Sequence, residues 1–205
     1  MANVSAPFGF RQWSGTGSAP TYEQTTLGSG GIAYNAAAIY YGDPVVRAGS
    51  GASTIVQAAG SAGTGTVTLT GIFQGCKYLS TAQKRTTWSN YWPGSDVAST
   101  AQSTIEAYII NDPVAQFLVQ ADSTGVVQAD VAANNDFNIG TGTAANGLSG
   151  AFLIHGGATS SAYPFRLVSL VTTPPGAPGT ATGGYNLAVV AFNNVETKNL
   201  TAPNT

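Results

Sequence analysis

At 205 residues the chain suits one domain, able to bury roughly 70% of the surface its unfolded form exposes, so its core needs no disulfide or metal. Its hydrophobic share is 43%, but only 8% of residues are charged, against about 25% in average soluble proteins; disorder, which pairs low hydrophobicity with high charge, does not fit. The net charge is −2 and the seven basic residues are scattered, with only Lys84 and Arg85 adjacent, which argues against nucleic acid and against a polybasic membrane anchor.

Residues 1–7 carry neither the basic nor the apolar region of a signal peptide, and no run approaches the roughly eighteen apolar residues of a membrane helix. Synthesis and retention in a cytoplasm are expected. The sequons Asn3-Val4-Ser5 and Asn199-Leu200-Thr201 mean little without secretion. Residues 1–20 are rich in Pro, Gly, Ser and Ala yet include Phe8, Phe10 and Trp13. They read as an N-terminal arm, which either packs on its own domain or lies extended on a partner subunit.

Residues 21–205 read as a single β domain. Thr66-Val67-Thr68-Leu69-Thr70 alternates with period two and continues through Gly71-Ile72-Phe73 to Lys77-Tyr78-Leu79. Cys76 is the sole cysteine and fits a buried thiol on this strand. A strand over residues 86–92 stops at Pro93-Gly94, and alternation along it places Trp88 and Trp92 on one face and Tyr91 on the other. Residues 104–110 and 115–120 form a meander across Asn111-Asp112-Pro113. Tyr41-Gly42-Asp43-Pro44 echoes that turn: in both, Asp bonds the turn backbone and Pro opens the next strand. Residues 126–133 allow two helical turns, although Val126, Val127 and Val131 are β-branched. Residues 134–150, rich in Asn, Gly and Thr, read as loop. Strands over 165–171 and 185–192 flank a Pro/Gly-rich insert, residues 174–184, expected to project as a mobile loop.

Reactive groups are sparse. His155 is the only histidine, so His and Cys do not supply a metal set, and no Gly-x-Ser-x-Gly elbow accompanies it. Gly140-Thr141-Gly142-Thr143-Ala144-Ala145 fits a permissive dinucleotide pattern but runs on into loop rather than helix. Asp122, Asp130 and Asp136 make a glycosidase pair only if the fold brings two within about 5–10 Å, and Asp122-Ser123-Thr124-Gly125 reads first as a turn. No catalytic, cofactor or metal site is expected. The cluster Trp88, Tyr91, Trp92 fits a core, an interface anchor or a sugar-stacking platform.

Four segments carry a resemblance: Ala6-Pro7-Phe8-Gly9-Phe10-Arg11; Tyr41-Gly42-Asp43-Pro44-Val45; Phe73-Gln74-Gly75-Cys76-Lys77-Tyr78 with Trp88-Ser89-Asn90-Tyr91-Trp92-Pro93-Gly94; and Asp112-Pro113 leading to Phe117-Leu118-Val119-Gln120. A fainter one covers Gly147-Leu148-Ser149 and Tyr163-Pro164-Phe165-Arg166-Leu167 through Asn193-Asn194. In this order the chain resembles the head decoration, or cement, proteins of tailed bacteriophages, encoded beside the major capsid protein. It departs from them at Pro174-Pro175-Gly176-Ala177-Pro178, uncharged here and more often acidic there.

The resemblance implies a non-enzymatic virion protein on the outer surface of the head, made in the host bacterial cytoplasm. Its partners would be the major capsid protein and itself, a homotrimer ahead of a dimer, with neither nucleic acid nor membrane. The fold expected is all-β, an antiparallel sandwich or barrel with long Gly/Pro/Asn-rich loops and an extended N-terminal arm. Phe8, Phe10 and Trp13 are the candidate capsid-docking residues, and Trp88, Tyr91 and Trp92 the candidate oligomer contact. The alternative is a carbohydrate- or receptor-binding module of a phage tail or fibre.

Overall fold

The structure, a computed structural model, describes residues 3–15, 23–25, 31–33, 36–49, 54–60, 67–95, 97, 105–155 and 161–199, with the backbone alone for 23–25 and 199. Outside them lie several positions read from sequence: residues 16–20 of the arm, Thr66, Thr104, Gly156-Gly157 after His155, and Leu200-Thr201 of the second sequon. The first strands are β1 (Arg11–Ser14), β2 (Glu23–Thr25), β3 (Pro44–Arg47), β4 (Ile55–Gln57), β5 (Gly71–Leu79) and β6 (Thr86–Ser89). Then follow β7 (Glu106–Ile110), β8 (Gln116–Gln120), β9 (Asn134–Thr143), β10 (Leu148–Ile154), β11 (Phe165–Leu170) and β12 (Leu187–Phe192). One helical turn, Glu196–Asn199, closes the described chain.

Two antiparallel sheets result, as the all-β reading requires. The first runs β1-β8-β12-β11-β9-β10; the second runs β2-β7-β5-β3-β4, with β6 also on β5. Five phenylalanines build the core of the first sheet: Phe10 stacks on Phe165 at 4.2 Å, Phe165 on Phe192 at 5.9 Å, and Phe117 and Phe137 meet them edge-on. A second core gathers Ile32, Ile39, Val45, Phe73, Cys76, Tyr78, Trp92 and Ile109. Strands β5 and β7 serve both. On β7, alternation sends Ile110 to the first core and Ala107 and Ile109 to the second.

Strand β5 could not do the same by plain alternation, because Phe73 and Cys76 would then point to opposite faces. Its register against β7 shifts between Phe73 and Gly75, a β-bulge that turns Cys76 and Tyr78 to the side of Phe73. Gly75 makes this possible: its φ is +152°, and a Cβ there would sit 2.9 Å from the Ser89 carbonyl oxygen.

The seam between sheets is polar and closed. Asp43, fully buried, accepts from Tyr40 N at 2.8 Å, Gln57 Nε2 at 2.6 Å and Ser149 Oγ at 2.5 Å, joining the start of β3 to β10. Pro44 opens β3 as read from sequence. Asp112 likewise accepts from Val114 N at 3.0 Å, but β8 starts only at Gln116, so Pro113 stays in the turn.

Three sequence readings need correction. Residues 134–150 are not loop: β9 and β10 pair from Asp136↔Ile154 to Thr143↔Leu148. Gly140 is packed so closely against β10 that an added Cβ would lie 2.7 Å from the Gly150 carbonyl oxygen, so the composition that resembles loop is what this hairpin needs. The two helical turns over 126–133 shrink to a 3-10 turn at Gln128–Asp130. The insert 174–184 is tied down, since Asn3 donates to the carbonyls of Ala181 and Gly184 and accepts from Gly179 N.

Candidate functional site

The N-terminal segment lies on its own domain. Gly9 N donates to Ala151 O at 3.2 Å and Phe10 N to Gly42 O at 2.9 Å, while Gln120 binds both Ala6 N and Val4 O. Gly9 has a φ of +77°, and a Cβ there would lie 2.6 Å from Ser149 Cβ, so only glycine passes this point. Phe10 is therefore a core residue and not a docking residue. Phe8 is half-buried, with the Arg11 guanidinium 5.7 Å from its ring centroid; the same guanidinium lies 5.1 Å from the Tyr41 ring. Trp13 alone of the three projects outward, 58% exposed.

Trp13 owes its exposure to local geometry. Strand β1 is an edge of the first sheet, and its register against β8 shifts between Gln12 and Ser14, leaving Trp13 at the irregularity. The chain then passes the Asp112 turn, where a Cβ on Gly15 would lie 3.1 Å from the carboxylate, and that turn carries the exposed Val114. Two large apolar side chains thus stand at one end of the first sheet, beside its terminal strand β1.

The second cluster splits three ways. Alternation does not relate Trp88 to Trp92, because β6 ends at Ser89 and residues 90–91 bend. Trp92 instead pairs with Ile39 and is fully buried in the second core, its indole N–H donating to Ala36 O at 3.3 Å. It is no surface contact. Tyr91 stacks on Tyr40 at 5.8 Å. Trp88 is 66% exposed, the most exposed aromatic among the described residues.

Around Trp88 stand residues that the sequence reading left out. Lys77 is its register partner on β5, and Glu106 is the register partner of Lys77 on β7. The Lys77 Nζ lies 5.8 Å from the Trp88 ring centroid and 2.6 Å from Glu106 Oε1; Tyr108 Oη donates to Glu106 Oε2 at 3.1 Å. The ammonium holds the Glu106 carboxyl below its ordinary range, and the carboxylate raises Lys77. Burial, followed by the Glu106 hydrogen bond, pushes the Tyr108 phenol up. Cross-strand pairing was the signal that could have found this group, but it becomes readable only once register is known.

The remaining reactive groups serve the backbone. Asp122 closes its turn as read from sequence, accepting from Thr124 N and Gly125 N, and also accepts from His155 N at 3.1 Å. Asp130 accepts from Val127 N at 2.8 Å and faces His155 Nδ1 at 3.3 Å; buried Asp136 accepts from Phe137 N at 2.8 Å. Gly140–Thr143 belongs to β9 and opens no helix. The Cys76 thiol lies 3.4 Å from Tyr91 O, and burial pushes its pKa up to about 12. Among the described residues no group of three or more His, Cys, Asp and Glu is placed to hold a metal ion, and no helix is long and apolar enough to cross a membrane.

A cleft of about 240 Å³ opens between Ser5, Pro7, Gln120, Asp122, Phe152 and Tyr185, and an open groove of about 650 Å³ runs along Asn138–Gly142 beside Tyr40 and Gln57. No family model, curated protein or solved structure matches this chain.

Proposed function

We propose that this protein decorates the outer surface of a tailed-phage head and clamps neighbouring capsid subunits against the pressure of packaged DNA. Supporting this reading are the ordered run of motifs from Ala6 to Asn194 and a low-charge surface whose wetting rests on hydroxyls and amides, cheaper to desolvate than ions. The observation that carries it is Trp13 on β1, the terminal strand of the first sheet, where it stands 58% exposed beside the Val114 turn. An exposed aromatic at the end of a sheet suits anchoring on a neighbouring subunit. Each copy needs only about 1,000–2,000 Å² of interface, and a homotrimer gains further by avidity.

The test is co-sedimentation of purified protein with shells lacking it, followed by a density map of the saturated particle. Wild-type protein should bind stoichiometrically on the outer surface, and Trp13→Ala should reduce occupancy by at least about tenfold at fixed concentration. Absence from purified particles, density on a tail or fibre, or full occupancy by Trp13→Ala overturns the assignment.

A further inference from the structure

The face of the second sheet that meets the first core does so over only part of its width. Ile72 and Ile110 are register partners and fully buried there. Toward the other end the same face carries Lys77 and Glu106, and Trp88 extends it onto β6. Here the sheet overhangs the first core: Trp88 is 66% exposed, and the Lys77 and Glu106 side chains are 27% and 20% exposed.

We propose that this overhanging face is a binding site for neutral carbohydrate, with a pyranose ring stacked on the indole of Trp88. Three observations favour sugar over a protein partner. First, Trp88 is held in place: the Lys77 ammonium lies 5.8 Å from its ring centroid, Lys77 bonds Glu106, and Glu106 accepts from Tyr108. A large side chain ordered before binding loses little entropy on binding. Second, the apolar surface is one ring wide. The other exposed large hydrophobic residues among those described, Val4, Trp13, Val114 and Val127, lie on other elements, whereas a protein hot spot sits within a wider desolvated patch. Third, the flanking groups form a neutral donor and acceptor pair. Lys77 keeps N–H donors and Glu106 keeps carboxylate lone pairs beyond their mutual bond, which suits the vicinal hydroxyls of a sugar, each both donor and acceptor. A charged ligand would meet one of the two unfavourably.

The test uses the full-length protein with chitohexaose, cellohexaose, maltohexaose and laminarihexaose, followed by tryptophan fluorescence and calorimetry. At least one oligosaccharide should bind saturably, with affinity falling by at least about tenfold in Trp88→Ala and by less in Trp88→Phe, which keeps a stacking ring. Thermal melts of both variants should superimpose on the parent's, as for a surface substitution. Binding by none of the four sugars, or equal binding by Trp88→Ala, overturns the site. So does a fall in shell occupancy or a change in sedimentation of free Trp88→Ala, since either assigns the indole to a protein contact. Sugar binding is read on the free protein, so this outcome is independent of whether the protein decorates a head.

Discussion

Asp43 shows how a residue that looks catalytic in isolation can be architectural. Burial raises its pKa, while bonds from Ser149, Tyr40 and Gln57 pull the other way. All three donors would lose their acceptor in Asp43→Ala, and unsatisfied buried donors cost about 1–3 kcal/mol each before relaxation. Loss of about 2–4 kcal/mol is expected at neutral pH. The pH dependence has a definite sign. A carboxyl whose folded pKa exceeds its unfolded value binds protons more tightly when folded, so its contribution is fully present below the unfolded value and falls as pH rises through the folded one. The stability difference between wild type and Asp43→Ala should therefore be larger in acid than at neutrality, measured by denaturant melts at both. A difference that grows with pH would mean the hydrogen bonds outweigh desolvation. The Lys77–Glu106 pair behaves otherwise, because each partner's shift favours its charged form; its support fails in acid as Glu106 protonates and in base as Lys77 loses its proton. Both side chains still reach solvent, 27% and 20% exposed, so screening keeps that support small.

Among elements, the legible strands were those whose burial alternates in place: β7, β8 and β11 show the period-two pattern their sequences carry. Strands β9 and β10 were missed because their stability comes from pairing and from glycines packed against opposite backbone, which composition alone scores as loop. The bulge at Gly75 defeats periodicity in another way, since one inserted residue flips every later side chain. Most consequential is the N-terminal segment. Of the two readings of residues 1–20, packing on the parent domain is what the described residues 3–15 show: Phe10 fills the aromatic core and β1 covers the edge of β8, so deleting residues 2–13 removes structure as well as any docking segment. Phe10→Ala should cost about 3–5 kcal/mol, and the deletion at least as much. Chemical denaturation checks both. A deletion variant that melts with the parent would restore the arm as an independent element, and it would remove the structural objection to using truncation as a docking assay.

For the whole molecule, few ions means few long-range forces. Two carboxylate–cation pairs of the described residues, Arg47–Glu196 and Lys77–Glu106, already engage two of the seven cations, and the rest are scattered. Adhesion built on Trp13 and uncharged polar side chains acts at contact range, where screening matters little. Raising ionic strength from about 0.1 M to about 1 M shortens the Debye length from about 10 Å to about 3 Å, enough to suppress attraction between solvated charges. If the protein decorates a shell as proposed, its Kd for that shell should change by less than about threefold over this range, because apolar burial is unaffected or slightly strengthened by salt. Equilibrium sedimentation at both salt concentrations measures this directly. A loss of tenfold or more would place the binding energy in Arg and Lys, and with it move the contact from the β1 edge to whichever face carries those cations.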